Sequence, residues 1–444
     1  MSRPAPLLPV YDFSAAPESI SLRQGCAEVT LGNDSLDGTA QLMLRFLPNP
    51  RLIFRASVSE DSGSRNPNFF NEDNDPSFSF DGQSVEGFYG RFIPNTDTLE
   101  FDWISKAEQI EFYDMKPKTS VASILHIFNF PNFSGGEHQH TAPAGCCLMV
   151  LESDEWHFSV QALPNGGTGQ AWKKIKEDGG CFLTHVVKLE RKDGKHFSGQ
   201  DAREQILLLT TFLSFVQGSN RSLGCGVGFN AEGAKTWEIF TAPRFSNPPH
   251  SWFTTHRASQ AELLFPLFAK RWRQSPEWRQ CLLSVVYWYV QANTDGRSSS
   301  INAGIILAQA ALERLAYHHL VVNKQMISED RFDKLWVSDR LRLLFSSLNI
   351  PIAIDSSTPK IENVASKWKW KDGPHAITDI RNELVHPVSR KQIGDCFFDA
   401  WKLNLWYLEL SVLALCGYSD TYTNRLTASH VTYSEYVPWE GNNA

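Results

Sequence analysis

The apolar residues of this chain change their spacing near residue 250, and no other feature limits the fold as strongly. Before that point they alternate with polar residues, for example at Leu42–Phe46 and Leu52–Val58, as in half-buried β-strands. From about Ser259 they follow the period of an amphipathic helix. Because a sheet and a helical bundle need different spacings, the sequence predicts two parts of different structural class.

The second part contains stretches of helical period separated by short polar joints, which is typical of an antiparallel bundle. The predicted helices are Gln260–Arg273, Pro276–Ala292, Ile301–Val322, Glu329–Leu348, Ala376–His386 and Lys391–Leu415. One more helix is predicted inside the β-rich part, where Ser198 is a candidate N-cap and an apolar run ends at Gly218. The predicted fold class is α+β, with a β-rich N-terminal domain over residues 1–245 and an all-α domain over residues 255–444, joined by the proline-rich Pro243–Pro249.

The net charge of −7 is distributed unevenly along the 444 residues, which contain 42 Lys and Arg against 49 Asp and Glu. Residues 1–250 hold 21 basic and 30 acidic residues, a net of −9, whereas residues 251–444 hold 21 and 19, a net of +2. This balance excludes a protein that coats nucleic acid over its whole surface. It leaves room for a local nucleic-acid site in the second part.

Cysteine usage and hydropathy predict a cytoplasmic protein that makes no contact with a membrane. The eight cysteines include no C-x-x-C pair, which favours reduced thiols. The N-terminus lacks the apolar core of a signal peptide, and the most apolar stretch, Leu403–Cys416, carries Glu409 in its middle. His138 and His140 have the H-x-H spacing with which a strand can present two metal ligands. No third ligand lies nearby in the sequence, so we expect neither a metal nor a cofactor.

One stretch, Asp379-Ile-Arg-Asn-Glu-Leu-Val-His-Pro387, combines residues suited to phosphodiester chemistry. Asn382 and His386 are four residues apart and share a helix face. Pro387 disfavours the helical conformation at the residue before it, so His386 should lie at the helix end, where a cationic ring is favoured. The long side chain of Arg381 can reach the same end. A proton-transfer group, an anion-binding guanidinium and an orienting amide would then lie together.

This Arg-Asn-x-x-x-His sequence, closing a helix late in a helical domain, resembles the R-x4–6-H signature of HEPN domains, many of which are metal-independent endoribonucleases. The segment Ala310–Leu315 contains the acidic residue Glu313. It is similar to the segment of HEPN domains that carries an acidic residue on a helix beside the motif. The resemblance covers about residues 275–417 and implies an all-α HEPN-like bundle. The N-terminal half, with Leu213–Phe215 and Trp237, is more weakly similar to the N-terminal domain of ApeA-type bacterial anti-phage defence proteins.

The resemblance implies a homodimer in which two copies of the motif face each other across a two-fold axis. The RNA 2′-OH would attack its own 3′ phosphate, with His386 as general base or acid and Arg381 stabilising the charge on the phosphorane. Asn382 would orient these groups, and Glu313 would pair with Arg381. The function so implied is an endoribonuclease of a bacterial defence or stress system, such as abortive infection, regulated by an unknown trigger ligand or protein at the N-terminal domain.

Other interpretations of the same residues stay open. In a non-catalytic HEPN-like module, Arg381 and His386 would bind a nucleotide or a protein partner without turnover. Alternatively, the motif is a solvated helix face with His386 as its C-cap. A basic-aromatic strip upstream of the motif is predicted to contact RNA through its charges and rings, unless its tryptophans pack the bundle. The strip consists of Lys367, Trp368, Lys369, Trp370 and Lys371.

Overall fold

The structure is a computed structural model. It describes residues 4–13, 18–31, 34–59, 76–94, 98–113, 119–143, 146–221, 223–244, 250–293, 298–354, 356–386, 393–427 and 434–440. Within these ranges the chain forms two seven-stranded sheets followed by a helical region, so the predicted α+β class is confirmed. Residues 245–249 of the predicted joint and Pro387 lie outside the described residues.

The first sheet is built from the N-terminal strands. These are β1 (Ser19–Leu31), β2 (Asp34–Arg45), β3 (Arg51–Ser59), β4 (Ser77–Phe80), β5 (Gln83–Ser84), β6 (Gly87–Pro94) and β7 (Thr98–Ser105). Neighbouring strands are antiparallel in the order β5-β4-β1-β2-β3-β7-β6. The alternating apolar residues of these strands, such as Leu42, Leu44 and Phe54, point into the core between the two sheets. Burial of one face of the sheet therefore explains the alternation in the sequence.

The second sheet is the middle layer of the molecule. Its strands are β8 (Gln109–Tyr113), β9 (Ala122–Phe128), β10 (Leu148–Glu152), β11 (Trp156–Ala162), β12 (Leu183–Arg191), β13 (Leu223–Phe229) and β14 (Lys235–Thr241), in the antiparallel order β10-β11-β12-β9-β13-β14-β8. Ile110 and Phe240 pack toward the first sheet, whereas Trp237 and Ile239 pack toward the helices. Both faces are therefore covered, which explains why these strands contain long apolar runs.

Two helices lie within this region, α1 (Gly167–Asp178) and α2 (Gly199–Gln217). The predicted N-cap of α2 is confirmed, because the Ser198 hydroxyl accepts the N–H of Asp201 at 3.1 Å. The Asp201 carboxylate accepts the N–H of Ser198 in return at 2.9 Å, which completes a capping box. The helix ends at Gly218, whose φ of 63° is a left-handed conformation that glycine adopts without strain.

The helices after residue 250 are α3 (Ser259–Arg273), α4 (Pro276–Ala292), α5 (Ser298–Tyr317), α6 (Glu329–Phe332), α7 (Val337–Ser347), α8 (Pro359–Trp368), α9 (Gly373–Val385) and α10 (Phe397–Cys416), with a π-helical turn His318–Asn323 after α5. The prediction of one helix over Glu329–Leu348 was wrong, because the chain breaks between α6 and α7. Helices α1 and α8 were not predicted. A short hairpin of β15 (Thr421–Tyr422) and β16 (Glu435–Tyr436) follows α10.

One apolar core passes from the second sheet into the helical region. The same buried cluster contains Leu125 of β9, Phe212 of α2, Phe265 of α3 and Leu408 of α10. The rings of Phe212 and Phe265 lie 4.9 Å apart in an edge-to-face arrangement. The predicted boundary near residues 245–255 stays a prediction, but the packing across it is that of a continuous interior.

A buried ion pair connects the tail, the segment that follows α10, with this interior. Glu409, in the middle of α10, is bonded to the guanidinium of Arg425, and neither side chain is more than 2% exposed. The Tyr289 hydroxyl of α4 donates to the same carboxylate. Arg425 also donates to Asn293 at 3.3 Å and to the carbonyl of His250 at 3.2 Å, so the tail, α4, α10 and the chain after the joint meet at one point.

The apolar character of α10 therefore reflects burial in protein. Within the described part of the chain, no helix is long and apolar enough to cross a membrane. The eight cysteines are free thiols.

Breaking the buried pair should destabilise the whole fold. We expect Glu409→Gln to lower the free energy of unfolding by about 3–5 kcal/mol in urea denaturation, because it leaves the Arg425 charge buried without a counter-charge. The double variant Glu409→Met/Arg425→Met should be more stable than Glu409→Gln, since it buries no charge. A loss below about 1 kcal/mol for Glu409→Gln, the range of exposed ion pairs, would contradict this role.

Candidate active site at the end of the helical bundle

Helix α9 carries the predicted motif in its last turns. Its N-terminus is fixed by Asp372, whose carboxylate accepts the N–H of His375 at 2.9 Å and pairs with Arg342 of α7 at 2.6 Å. At the other end His386 is the C-cap residue, and its N–H donates to the carbonyl of Asn382 at 2.7 Å. The side chains of Asn382 and His386 are exposed, so solvent and ligands can reach them.

Helices α5 and α9, which carry Glu313 and Arg381, are joined by a buried hydrogen bond. The buried Gln309 amide of α5 donates to the Thr378 hydroxyl of α9 at 3.1 Å, which sets the relative position of the two helices. Glu313 lies one turn after Gln309, and Arg381 lies just under one turn after Thr378. Of the charges that lower the pKa of Glu313, the Arg381 guanidinium has the largest effect.

Burial has the larger effect on Glu313 and raises the pKa of its carboxyl above the ordinary value, against the influence of Arg381 and Arg340. Glu313 is thus a partly buried carboxylate, 3.9 Å from the Arg340 guanidinium, whose pKa is also lowered by the charge of Arg381. Perturbed titrating groups of this kind are common at functional sites, although structural ion pairs show them too.

Arg381 retains donors for an anion. Its Nη1 donates to the Asn382 Oδ1 at 3.3 Å, a long hydrogen bond. Its Nε is buried and finds no hydrogen-bond partner among the described residues. Arg381 as a whole is only partly buried, and a guanidinium can hold an anion such as a phosphate through its outer donors.

Arg340 of α7 is a residue of this cluster that the sequence analysis missed. Its Nη1 lies 3.9 Å from the Glu313 carboxylate, while its Nε and Nη2 donate to the carbonyls of Leu335 and Asp333 at 3.1 and 2.9 Å. The same guanidinium lies over the Phe332 ring. No local pattern predicts this arrangement, because it depends on the break between α6 and α7.

In the basic-aromatic strip the tryptophans are buried or partly buried, and the lysines are exposed. Trp370 is buried, and its Nε1 donates to Asp379 at 2.7 Å. Trp368 is partly buried and packs against the main core. Lys367, Lys369 and Lys371 are exposed. This packing favours the interpretation in which the tryptophans stabilise the bundle, and contact of the strip with RNA stays a prediction.

Two further histidines, His318 and His319, lie in the π-helical turn that follows α5. His318 is buried with its ring edge-on to Trp278 of α4, at 4.2 Å between centroids. Burial also lowers the pKa of the neighbouring His319 to about 4. Among the residues that the structure describes, no group of three or more His, Cys, Asp or Glu side chains is arranged to hold a metal ion.

Comparison with known proteins adds two family models. Residues 116–251 match the model described as the YopA central domain, and residues 275–436 match the model described as the YopA C-terminal domain. The SPbeta prophage-derived uncharacterized protein YopA of Bacillus subtilis (strain 168) is 26% identical over 454 residues, which cover 97% of this chain and 96% of that protein. This chain is similar to YopA. No solved structure matches it.

The burial of Glu313 predicts that this carboxylate lowers stability. Because its pKa is higher in the folded than in the unfolded protein, the penalty is absent below the ordinary value of 4.5 and grows as the pH rises through the folded-state pKa. We expect Glu313→Gln to raise the free energy of unfolding at pH 7 by up to about 1 kcal/mol, and the gain to disappear near pH 4. Urea denaturation at both pH values measures it.

A matched control is Glu177→Gln on α1, a carboxylate that is 59% exposed and should have almost no effect. If Glu313→Gln were less stable than the wild type at pH 7, attraction to Arg381 and Arg340 would outweigh burial, contrary to this account.

Proposed function

We propose that this chain is a metal-independent endoribonuclease that acts as a homodimer in a bacterial defence or stress response. The observation that carries the proposal is that α5 and α9, bonded to each other through Gln309 and Thr378, bring Glu313 within the electrostatic influence of Arg381, on the helix whose exposed C-cap residue is His386. The HEPN resemblance implies an acidic residue, an arginine and a histidine at such a site, and Glu313, Arg381 and His386 are the residues that it assigns to these roles.

In the proposed reaction the RNA 2′-OH attacks the adjacent phosphorus and the bond to the 5′ oxygen breaks. The products are a 2′,3′-cyclic phosphate and a free 5′-OH. His386 accepts the 2′-OH proton or donates one to the leaving oxygen, and Arg381 stabilises the charge of the phosphorane. Glu313 orients Arg381 from one side, Asn382 from the other, and Arg340 holds Glu313 in place.

Exposed apolar side chains on α7 and α9 support the proposed dimer. Trp336, the N-cap residue of α7, is 79% exposed, and Leu343 lies seven residues later on the same helix face. Val385 of α9 is also exposed, next to His386. Clustered exposed apolar residues, tryptophan above all, are typical of protein interfaces. In the proposed dimer this end of the bundle faces the second copy across a two-fold axis.

The similarity to a prophage-derived protein supports a role in defence, because a prophage benefits when a competing infection of its host is stopped. An enzyme that cuts host RNA must be inactive in resting cells. The proposal therefore gives the β-rich part a regulatory role and places the protein in the cytoplasm, where its substrate is found.

The test is RNA cleavage by purified protein in EDTA, with analysis of the product ends. We expect the wild type to produce 2′,3′-cyclic phosphate ends and His386→Ala to lower the cleavage rate by about 100-fold or more, the usual contribution of a general acid or base. His375→Ala is the matched control, because His375 lies on the same helix at its opposite end and its loss should leave the rate unchanged.

Circular dichroism and light scattering should give the same fold and mass for both variants. Unchanged cleavage by His386→Ala would refute the assignment. Binding of RNA without cleavage by the wild type would favour the non-catalytic module instead.

A further inference from the structure

A cleft separate from the candidate active site lies where the second sheet meets the helical region. It consists of two adjoining cavities, of about 430 and 470 Å³, that share Glu204 of α2 and Arg279 of α4. The first is bounded by α2, α4 and strands β8, β13 and β14, and the second extends along α4 toward the end of α3. Known ligand pockets range from about 300 to 1,000 Å³, so the cleft has room for a small organic molecule.

The walls of the cleft are positively charged although the chain as a whole is acidic. Among the described residues, Arg203, Arg273 and Arg279 line it together with one carboxylate, Glu204. Arg279 pairs with Glu204 at 2.7 Å, and Arg203 pairs with Glu111 just outside the cleft at 3.0 Å. Each pair has at least one partner that is well exposed to solvent, Arg203 at 52% and Glu204 at 42%, so an anion of higher charge can compete with the carboxylates for both guanidiniums.

The floor of the cleft is apolar. Ile206, Leu223 and Ile239 are buried side chains of the main core that reach its surface here. In the second cavity the Trp272 ring lies beneath the Arg279 guanidinium, 5.5 Å away. A cleft with an apolar floor and arginines in its walls suits a molecule that has a flat, weakly polar part and an anionic end.

We propose that this cleft binds a nucleotide, with its phosphates held by Arg203 and Arg279 and its base against the apolar floor. Inorganic phosphate would satisfy the arginines but would leave most of the volume empty. A nucleotide offers both the charge and the flat ring. This inference concerns binding alone and does not depend on the proposed ribonuclease activity.

The experiment is isothermal titration calorimetry of the full chain with ATP, ADP, AMP, GTP and inorganic phosphate, each separately. We expect at least one nucleotide to bind with a stoichiometry of one per chain, at least about tenfold more tightly than phosphate. Arg279→Gln and Arg203→Gln should each weaken that binding about tenfold or more, the usual effect of losing a charged hydrogen bond.

Arg91→Gln is the matched control, since Arg91 is an exposed arginine of the first sheet that does not line the cleft. Its affinity should equal that of the wild type. Two arginine variants are used so that misfolding of one, seen by circular dichroism, still leaves the other as a test. The proposal is overturned if no nucleotide of the panel binds, if phosphate binds as tightly, or if a folded cleft variant binds as tightly as Arg91→Gln.

Discussion

The buried pair of Glu409 and Arg425 is the interaction on which the arrangement of this molecule depends. A carboxylate in the middle of the most apolar helix is tolerated only with a partner of opposite charge and complete hydrogen bonding. The chain supplies that partner by returning from the end of α10 across the bundle. The same guanidinium reaches Asn293 and the carbonyl of His250, so one point fixes the tail, α4, α10 and the entry to the helical region.

The candidate active site follows from this rigid interior. Tyr407 of α10 stacks on Phe345 of α7 at 4.2 Å, and its hydroxyl lies so close to Gly373 that any side chain there would collide with it. Helices α7 and α9 are therefore held at the start of α9, and the motif is presented at the opposite end. There Glu313 and Arg381 are half-buried and have few protein partners. A well-packed scaffold that presents a partly exposed guanidinium suits anion recognition.

Local signals explain what the sequence predicted correctly. The cap of α2 and the start of α4 after Ser275 depend on side chains within three residues, and both were confirmed. The break in the predicted helix Glu329–Leu348 was missed because the apolar spacing continues through it, and the bonds of Arg340 to two carbonyls at the break are not visible in that spacing. The motif residues Arg381, Asn382 and His386 lie within one stretch of the sequence, so the sequence alone could propose them, and their role stays a prediction. Arg340 and the cleft between α2 and α4 arise from tertiary packing, which no periodicity reports.

The central claim is that RNA is cut by its own 2′-OH under the action of Arg381 and His386. The most direct measurement uses an RNA cleaved by the wild-type protein and the same RNA with one 2′-deoxy nucleotide at the cleavage site. The account predicts that cleavage at that bond disappears while other bonds are still cut, because the nucleophile is missing. Continued cleavage at the substituted bond would contradict it and would point to attack by water.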